Sequence, residues 1–121
     1  MKKVLVVEDN DAIRQVYKML LDGLDFGMVT PAGFTLGDIT SALTDNPEIV
    51  CVICDGGLGD NVRINGTDVV RHIRSLNVAI PILAITADVN LAAEMLSAGA
   101  NIYIEKPFNA LELQRILKGL G

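Results

Sequence analysis

The chain of 121 residues contains no tryptophan, only two cysteines and one histidine. Two cysteines cannot build the disulfide framework on which small secreted domains depend, so the composition fits a reducing compartment. No long basic run is present and the net charge is −5 at pH 7. This charge balance argues against direct nucleic-acid binding through phosphate contacts by this domain alone. No apolar run is long enough to span a bilayer, so we expect no membrane segment.

The amino terminus resembles a signal peptide in its order of charged and apolar residues, but its apolar part is too short. Two lysines precede the apolar run Val4–Val7, and the acids Glu8 and Asp9 follow at once. This pattern favours a cytoplasmic start over a secretory leader.

Cys51 and Cys54 have the C-x-x-C spacing of a redox motif. Such a motif normally opens a helix, whereas these residues lie in a β-branched run that predicts a strand. Residues three apart on a strand face opposite sides, so the thiols should not meet. We expect two buried small hydrophobic side chains instead of a redox pair.

Apolar runs and helical periodicity alternate along the chain. The predicted strands are Lys3–Glu8, Phe26–Pro31, Ile49–Cys54, Ile80–Ile85 and Ile102–Ile104. Between and after them, apolar residues at helical spacing predict five helices. The first starts at Asn10-Asp11 and contains Ile13, and the others are marked by Leu36, Val69, Leu91 and Leu113. Continuously apolar central strands imply a parallel sheet covered by helices on both faces. We therefore predict an α/β fold, a doubly wound five-stranded parallel sheet, as a single domain over residues 1–121.

Five polar residues fall at the predicted carboxyl ends of the strands, where such folds bind ligands. They are Glu8, Asp9, Asp55, Thr86 and Lys106. Three crowded carboxylates repel one another, which raises pKa values unless a cation neutralises them. Mg²⁺ is the natural cation for an oxygen-only cluster, because it is hard and keeps several waters.

The same residue types predict phosphoryl chemistry at Asp55. A carboxylate can attack phosphorus and form an aspartyl phosphate, and this transfer needs positioning and charge neutralisation above all. Lys106 and the Thr86 hydroxyl are placed to hold phosphoryl oxygens. No G-x-x-x-x-G-K-[ST] loop is present, so the sequence does not support nucleotide binding. The donor should be a small molecule or another protein.

Four motifs in this order resemble a known family. They are Val-Leu-Val-Val-Glu-Asp-Asn at the start, Val-Ile-Cys-Asp in the third strand, Ile-Thr-Ala after the fourth and Glu-Lys-Pro-Phe after the fifth. Nearly the whole chain is similar to a response-regulator receiver domain of two-component signalling, including the receivers of chemotaxis. The resemblance implies a flavodoxin-like sheet with strand order 2-1-3-4-5.

The resemblance implies a role for each acid. Asp55 matches the phosphoacceptor, and Glu8 and Asp9 match the acidic pair that holds Mg²⁺. The family's third protein ligand, a backbone carbonyl two residues after the acceptor, corresponds to Gly57.

The resemblance also implies the switch residues. Thr86 matches the switch hydroxyl and Lys106 the family's lysine, and Lys106-Pro107 is a candidate cis peptide. Tyr103 matches the aromatic residue whose side chain moves inward when Thr86 engages the phosphoryl group.

By the same resemblance, the protein is a signalling phosphoacceptor and not a metabolic enzyme. A histidine kinase or phosphotransfer protein would donate the phosphoryl group, and a downstream protein or fused output domain would receive the signal. A stand-alone receiver, part of a longer regulator and the receiver end of a hybrid kinase all stay open.

Each assignment has a simpler alternative. Glu8 and Asp9 can be a solvated strand end and helix start, Asp55 a turn cap, and Thr86 a helix N-cap. Lys106 can be a surface side chain and Tyr103 an ordinary core residue.

Two other functional classes compete with the phosphoacceptor. A hydrolase with an aspartyl-phosphate intermediate typically has a second acid at the position of Gly57, and none is there. A degenerate receiver that binds partners without phosphorylation would usually have lost Asp55, Lys106 or one acid of the pair. His72 is expected to be an exposed residue of the third helix without a phosphohistidine role.

One segment departs from the family. The family usually has a proline four residues after the acceptor and an Asp/Asn-Gly pair soon after it. Here Leu58-Gly59 replaces the hydrophobic-proline step, and Asn65-Gly66 comes about three residues late, so residues 60–64 look like an insertion in the Gly56–Gly66 loop. We hypothesise that it alters partner docking or the lifetime of the aspartyl phosphate. Unchanged dephosphorylation and kinase preference after deletion of three of these residues would refute this.

Overall fold

The computed structural model describes residues 1–59 and 63–120. In these residues, strands and helices alternate as the sequence predicts. The strands are β1 (Lys3–Val7), β2 (Gly27–Val29), β3 (Ile49–Asp55), β4 (Ile82–Thr86) and β5 (Ile102–Glu105). The helices are α1 (Asp11–Gly23), α2 (Leu36–Asp45), α3 (Gly66–Ser75), α4 (Val89–Ala98) and α5 (Ala110–Leu120). None of these helices is long and apolar enough to cross a membrane.

The strands form one parallel sheet in the order β2-β1-β3-β4-β5. This confirms the predicted doubly wound α/β fold and its strand order. The register aligns Val7 of β1 with Cys54 of β3, and Asp55 with Ile85 of β4. Because the strands are parallel, the residues that follow them meet at one edge of the sheet.

The sheet separates two hydrophobic cores. One core contains Leu5, Val7 and Cys54 together with buried residues of α2, α3 and α4. The other contains Cys51 together with buried residues of α1 and α5. Cys51 and Cys54 are free thiols on opposite faces of β3, which confirms the prediction that they do not pair.

Side chains other than Glu8, Asp9 and Asp55 cap the helices that follow β1 and β4. Asn10 caps α1 by accepting a hydrogen bond from the Ile13 N–H at 3.0 Å. Asp88 caps α4 by accepting from the Asn90 and Leu91 N–H groups. Glu8 and Asp9 are therefore not needed to cap α1.

The observed β4 begins two residues later than predicted. Pro81 has no N–H to donate to the sheet, and the Ile80 carbonyl instead accepts from Arg74 Nη1 at 2.8 Å. The Ile82 N–H donates to Asn101 Oδ1 at 2.8 Å, at the point where the strand begins. The edge strand β2 is also shorter than predicted, with three residues paired to β1.

Candidate active site at the carboxyl edge of the sheet

The three predicted acids meet beyond the ends of β1 and β3. Glu8, Asp9 and Asp55 each offer a carboxylate oxygen, and these atoms all lie within 4.8 Å of one another. Glu8 and Asp55 are only 2% and 6% exposed, whereas Asp9 is exposed. The β1–β3 register, in which Val7 is opposite Cys54, places Glu8 beside Asp55. The structure therefore brings the acids together as the sequence predicts.

Lys106 reaches this cluster from the loop after β5. Its Nζ lies 3.1 Å from Asp55 Oδ2 and 3.3 Å from Glu8 Oε1. Its backbone N–H donates to the Thr86 carbonyl at 3.1 Å, and the following peptide bond to Pro107 is cis. Lys106 is thus a half-buried, doubly paired cation, and the alternative of an unengaged surface lysine is excluded.

Burial of the acids has an electrostatic consequence. Desolvation and the neighbouring Asp55 raise the pKa of the Glu8 carboxyl to about 7, despite the opposing effect of Lys106. Burial alone would lower the pKa of Lys106, but Asp55 and Glu8 outweigh it and raise that pKa. Lys106 therefore stays protonated, and its single charge does not offset the crowding of the acids.

Two groups that sequence reasoning missed hold Glu8 in place. Arg14 Nη1 donates to the Glu8 carbonyl at 2.6 Å, and the Asn10 N–H donates to Glu8 Oε2 at 3.3 Å. Arg14 also pairs with Asp11 on the first turn of α1. A cation one turn into the helix that follows an acidic strand end is the one signal that could have indicated this contact.

Thr86 lies buried at the end of β4, with 4% exposure. Its Oγ1 accepts a hydrogen bond from the Asp88 N–H at 3.1 Å. The N-cap alternative for Thr86 is wrong, because Asp88 caps α4. A Cβ on Gly56 would lie 2.8 Å from both Cβ and Oγ1 of Thr86, so a glycine directly after Asp55 is what allows this close packing. Sequence reasoning did not identify that requirement.

Tyr103 occupies β5 opposite Ala84 of β4, two residues before Thr86. The side chain is half-buried, and its hydroxyl is buried without a hydrogen-bond partner among the residues that the structure describes. Gly57 follows Gly56 in the loop and is exposed. The proposed roles of the Tyr103 side chain and the Gly57 carbonyl stay predictions.

The expectation that His72 is exposed is wrong. Its ring is half-buried and its Nε2 lies 2.7 Å from Thr40 Oγ1 of α2. The predicted insertion falls partly on residues 60–62, which lie outside the described residues.

An apolar groove borders the lysine. It has a volume of about 450 Å³ and is lined by Ile13, Ala87, Lys106, Pro107 and Phe108. The Phe108 ring stacks on buried Tyr17 of α1, with centroids 5.4 Å apart and an interplanar angle of 11°. A slightly larger groove of about 490 Å³ lies between α3 and α4, and none of the three acids lines it.

Comparisons with known proteins agree with this geometry. The family model described as the response regulator receiver domain matches residues 4–118. The chain belongs to the response-regulator receiver-domain family. It is a signalling family, and this chain is the receiver domain of a two-component response regulator.

Curated relatives include transcriptional regulators. The chain is 34% identical over 123 residues to the virulence transcriptional regulatory protein PhoP of Salmonella typhimurium, covering 99% of this chain and 52% of that protein. It is 33% identical over 120 residues to the KDP operon transcriptional regulatory protein KdpE of Escherichia coli, covering 98% and 50%. The chain thus spans about half the length of these relatives.

Solved structures show the same fold. The chemotaxis protein CheY4 of Vibrio cholerae is 26% identical with a TM-score of 0.78, covering 100% of this chain and 99% of that one. The receiver domain of NtrX from Brucella abortus is 24% identical with a TM-score of 0.83, covering 97% and 96%.

Proposed function

We propose that this receiver domain accepts a phosphoryl group on Asp55 and that the phosphorylated form binds its target differently. The observation that carries the proposal is the position of Lys106 Nζ, 3.1 Å from Asp55 and 3.3 Å from Glu8, at an edge where these two buried carboxylates meet the exposed carboxylate of Asp9. A nucleophile, a fixed cation and further oxygen ligands in one place are the parts that phosphoryl transfer requires. We propose that residues 1–121 act as one receiver unit.

The reaction involves one bond formed and one broken. An Asp55 carboxylate oxygen donates an electron pair to phosphorus and forms the new P–O bond. The bond from phosphorus to the donor breaks, and its electron pair leaves with the imidazole of a phosphohistidine or the acetate of acetyl phosphate. Lys106 stabilises negative charge on the transferring group, and the Thr86 hydroxyl is the donor that we assign to a second phosphoryl oxygen.

The acid cluster fits a divalent cation. Its ligands are hard oxygens, and the raised pKa of Glu8 indicates a site that lacks positive charge. Glu8, Asp9, Asp55 and the Gly57 carbonyl are the groups that would hold Mg²⁺. When bound, Mg²⁺ would supply charge neutralisation and orientation of a phosphoryl oxygen.

We propose Thr86 and Tyr103 as the residues that carry the signal away from Asp55. Thr86 is buried beside the site, and Tyr103 lies on the adjacent strand with a hydroxyl that lacks a partner within the described residues. Movement of Thr86 toward the phosphoryl group would make room for the Tyr103 ring. Phosphorylation would thus bias two conformations of the face formed by α4, β5 and α5.

The phosphoryl donor is proposed to be a histidine kinase or a phosphotransfer protein. The apolar groove beside Lys106 includes Ile13 of α1 in its lining, and α1 and α5 also carry exposed apolar side chains, which are Val16, Met19 and Leu111. An apolar helix surface docked there would lie next to Lys106 and the acid cluster.

The downstream target is proposed to be a separate protein or a fused output domain. PhoP and KdpE are named as transcriptional regulatory proteins, and this chain matches about half of each. DNA binding by a region outside the receiver would fit these names. The expectation that the receiver itself does not contact nucleic acid stays a prediction.

Incubation of the purified protein with acetyl phosphate and MgCl₂, followed by intact mass measurement, tests the proposal. We expect the mass of one phosphoryl group to be added, and to be added more slowly when EDTA replaces MgCl₂. A wild-type protein that gains no adduct under either condition would contradict the proposal and favour the degenerate receiver.

Lys106→Met should slow phosphorylation about 100-fold, the scale on which a single charge-stabilising donor contributes to such reactions. Methionine keeps an unbranched apolar stem but removes the ammonium that lies between Asp55 and Glu8. The measurement is the initial rate of adduct formation from acetyl phosphate. Lys18→Met is the control, because Lys18 forms an exposed pair with Asp22 on α1. Equal rates for wild type and Lys106→Met would remove Lys106 from the mechanism.

A further inference from the structure

Gly59 places the loop after β3 directly against Asp9. It lies four residues after Asp55 and has a φ of +90°, a conformation that residues with a side chain rarely adopt. A Cβ added to Gly59 would lie 2.5 Å from Asp9 Oδ2 and 3.5 Å from Asp9 Cγ. The nearest neighbour of this glycine is thus a carboxylate of the acid cluster.

The residues just before Gly59 are anchored. Two residues after Gly56, Leu58 is only 2% exposed and belongs to the core that packs with α2, α3 and α4. Gly56 is buried against Thr86 and Leu91. The Gly56 carbonyl also accepts from the Gly66 N–H at 2.8 Å, which closes the base of the loop. The start of the loop is therefore held at both Gly56 and Leu58.

A clash at Gly59 would be relieved most readily by movement of the Asp9 carboxylate, which is the end of a flexible side chain. The Asp9 side chain is exposed and can rotate. The carboxylate oxygens of Glu8 and Asp55 now lie within 4.8 Å of that of Asp9, and we infer that rotation away from Gly59 would disturb this arrangement. One oxygen ligand would then leave the cluster.

We propose that Gly59 is a positioning residue for Asp9. Because Gly59 has no side chain, the Asp9 carboxylate can stay directed at a divalent cation site. This inference rests on the proposed metal-binding function of the acid cluster. It also gives a reason for the replacement of the family's proline step by Leu58-Gly59. Proline fixes φ near −65° and could not follow the backbone path that Gly59 takes.

The test is an MgCl₂ titration of the phosphate-free full chain, followed by amide NMR shifts. Gly59→Ala should bind Mg²⁺ roughly tenfold more weakly than wild type, since loss of a group that orients a metal ligand typically costs that much or more. Gly59→Asn is the second variant, because asparagine tolerates positive φ better than alanine but still carries a Cβ. Its Mg²⁺ affinity should fall to a similar extent. Gly23→Ala at the end of α1 is the control, since a Cβ there meets nothing within 4 Å.

The outcomes separate this inference from the function on which it rests. A wild-type protein that does not bind Mg²⁺ overturns the proposed metal site and this inference with it. A wild-type protein that binds, with unchanged affinity in both Gly59 variants, overturns the role of Gly59 alone. Weaker binding in Gly23→Ala as well would also count against it, because the effect would not depend on Asp9.

Discussion

Asp55→Asn is expected to abolish phosphorylation by acetyl phosphate, with no adduct detected when the wild-type protein is fully converted. The amide lacks the negative charge and the nucleophilic oxygen that attack phosphorus. It has nearly the same size as the carboxylate, so the end of β3 can keep its packing. Intact mass after incubation with acetyl phosphate and MgCl₂ measures the result directly.

Asp45→Asn is the matched control for this substitution. Asp45 ends α2 and is exposed, so it has no access to the buried edge formed by Glu8 and Asp55. This control should gain the adduct at the wild-type rate. A full adduct on the Asp55→Asn protein would show that another residue is the acceptor, and peptide mapping would then locate it.

The Glu8→Gln protein is expected to be more stable than wild type without divalent cations at pH 8, and less stable than wild type when Mg²⁺ is added. The pKa of Glu8 in the folded protein is about 7, above its ordinary value of 4.5, so the folded state favours the protonated acid. The stability that this preference contributes is fully present below pH 4.5 and is lost as the pH rises through 7. Without divalent cations at pH 8, the neutral glutamine should therefore make the protein more stable, on the order of 2 kcal/mol.

Mg²⁺ should make wild type the more stable of the two proteins, because the ionised Glu8 carboxylate is a better ligand than the amide. Wild type gains stability from binding that the Glu8→Gln protein largely lacks. Urea unfolding followed by circular dichroism, at pH 5 and pH 8 with either EDTA or MgCl₂, gives the four free energies of unfolding for each protein. Glu94→Gln, an exposed substitution on α4, is the control. Identical pH dependence of wild type and Glu8→Gln in EDTA would contradict the prediction.

The convergence of the site residues could be predicted from the sequence because it follows from topology. Asp55 ends a strand of the parallel sheet, Glu8 and Lys106 directly follow strands, and parallel strands present such residues at one edge. The apolar runs of β1 and β3 made the strands evident, and helical spacing did the same for the helices. The strand order came from the family resemblance.

The contacts that orient the site could not be predicted in the same way. Arg14 reaches the Glu8 carbonyl from the first turn of α1, and this contact depends on the placement of the helix relative to the end of β1, which residue spacing does not specify. The proximity of Gly59 to Asp9 depends on a positive φ, which the residue type permits but does not impose. His72 packs against Thr40 because α2 and α3 are neighbours, and helical periodicity alone does not contain that information.

Cys51 and Cys54 can serve as probes of core opening, because their thiols lie in the two hydrophobic cores on opposite faces of the sheet. Each thiol is at most 1% exposed, and burial raises the pKa of both. Alkylation therefore has to wait for the surrounding core to open. A single-cysteine variant with Cys54 alone would time the opening of the layer formed by α2, α3 and α4, and one with Cys51 alone would time the layer formed by α1 and α5. Different alkylation rates would show that the cores on the two faces of the sheet open independently. A comparison with the phosphorylated protein would show in which core phosphorylation lowers the opening rate.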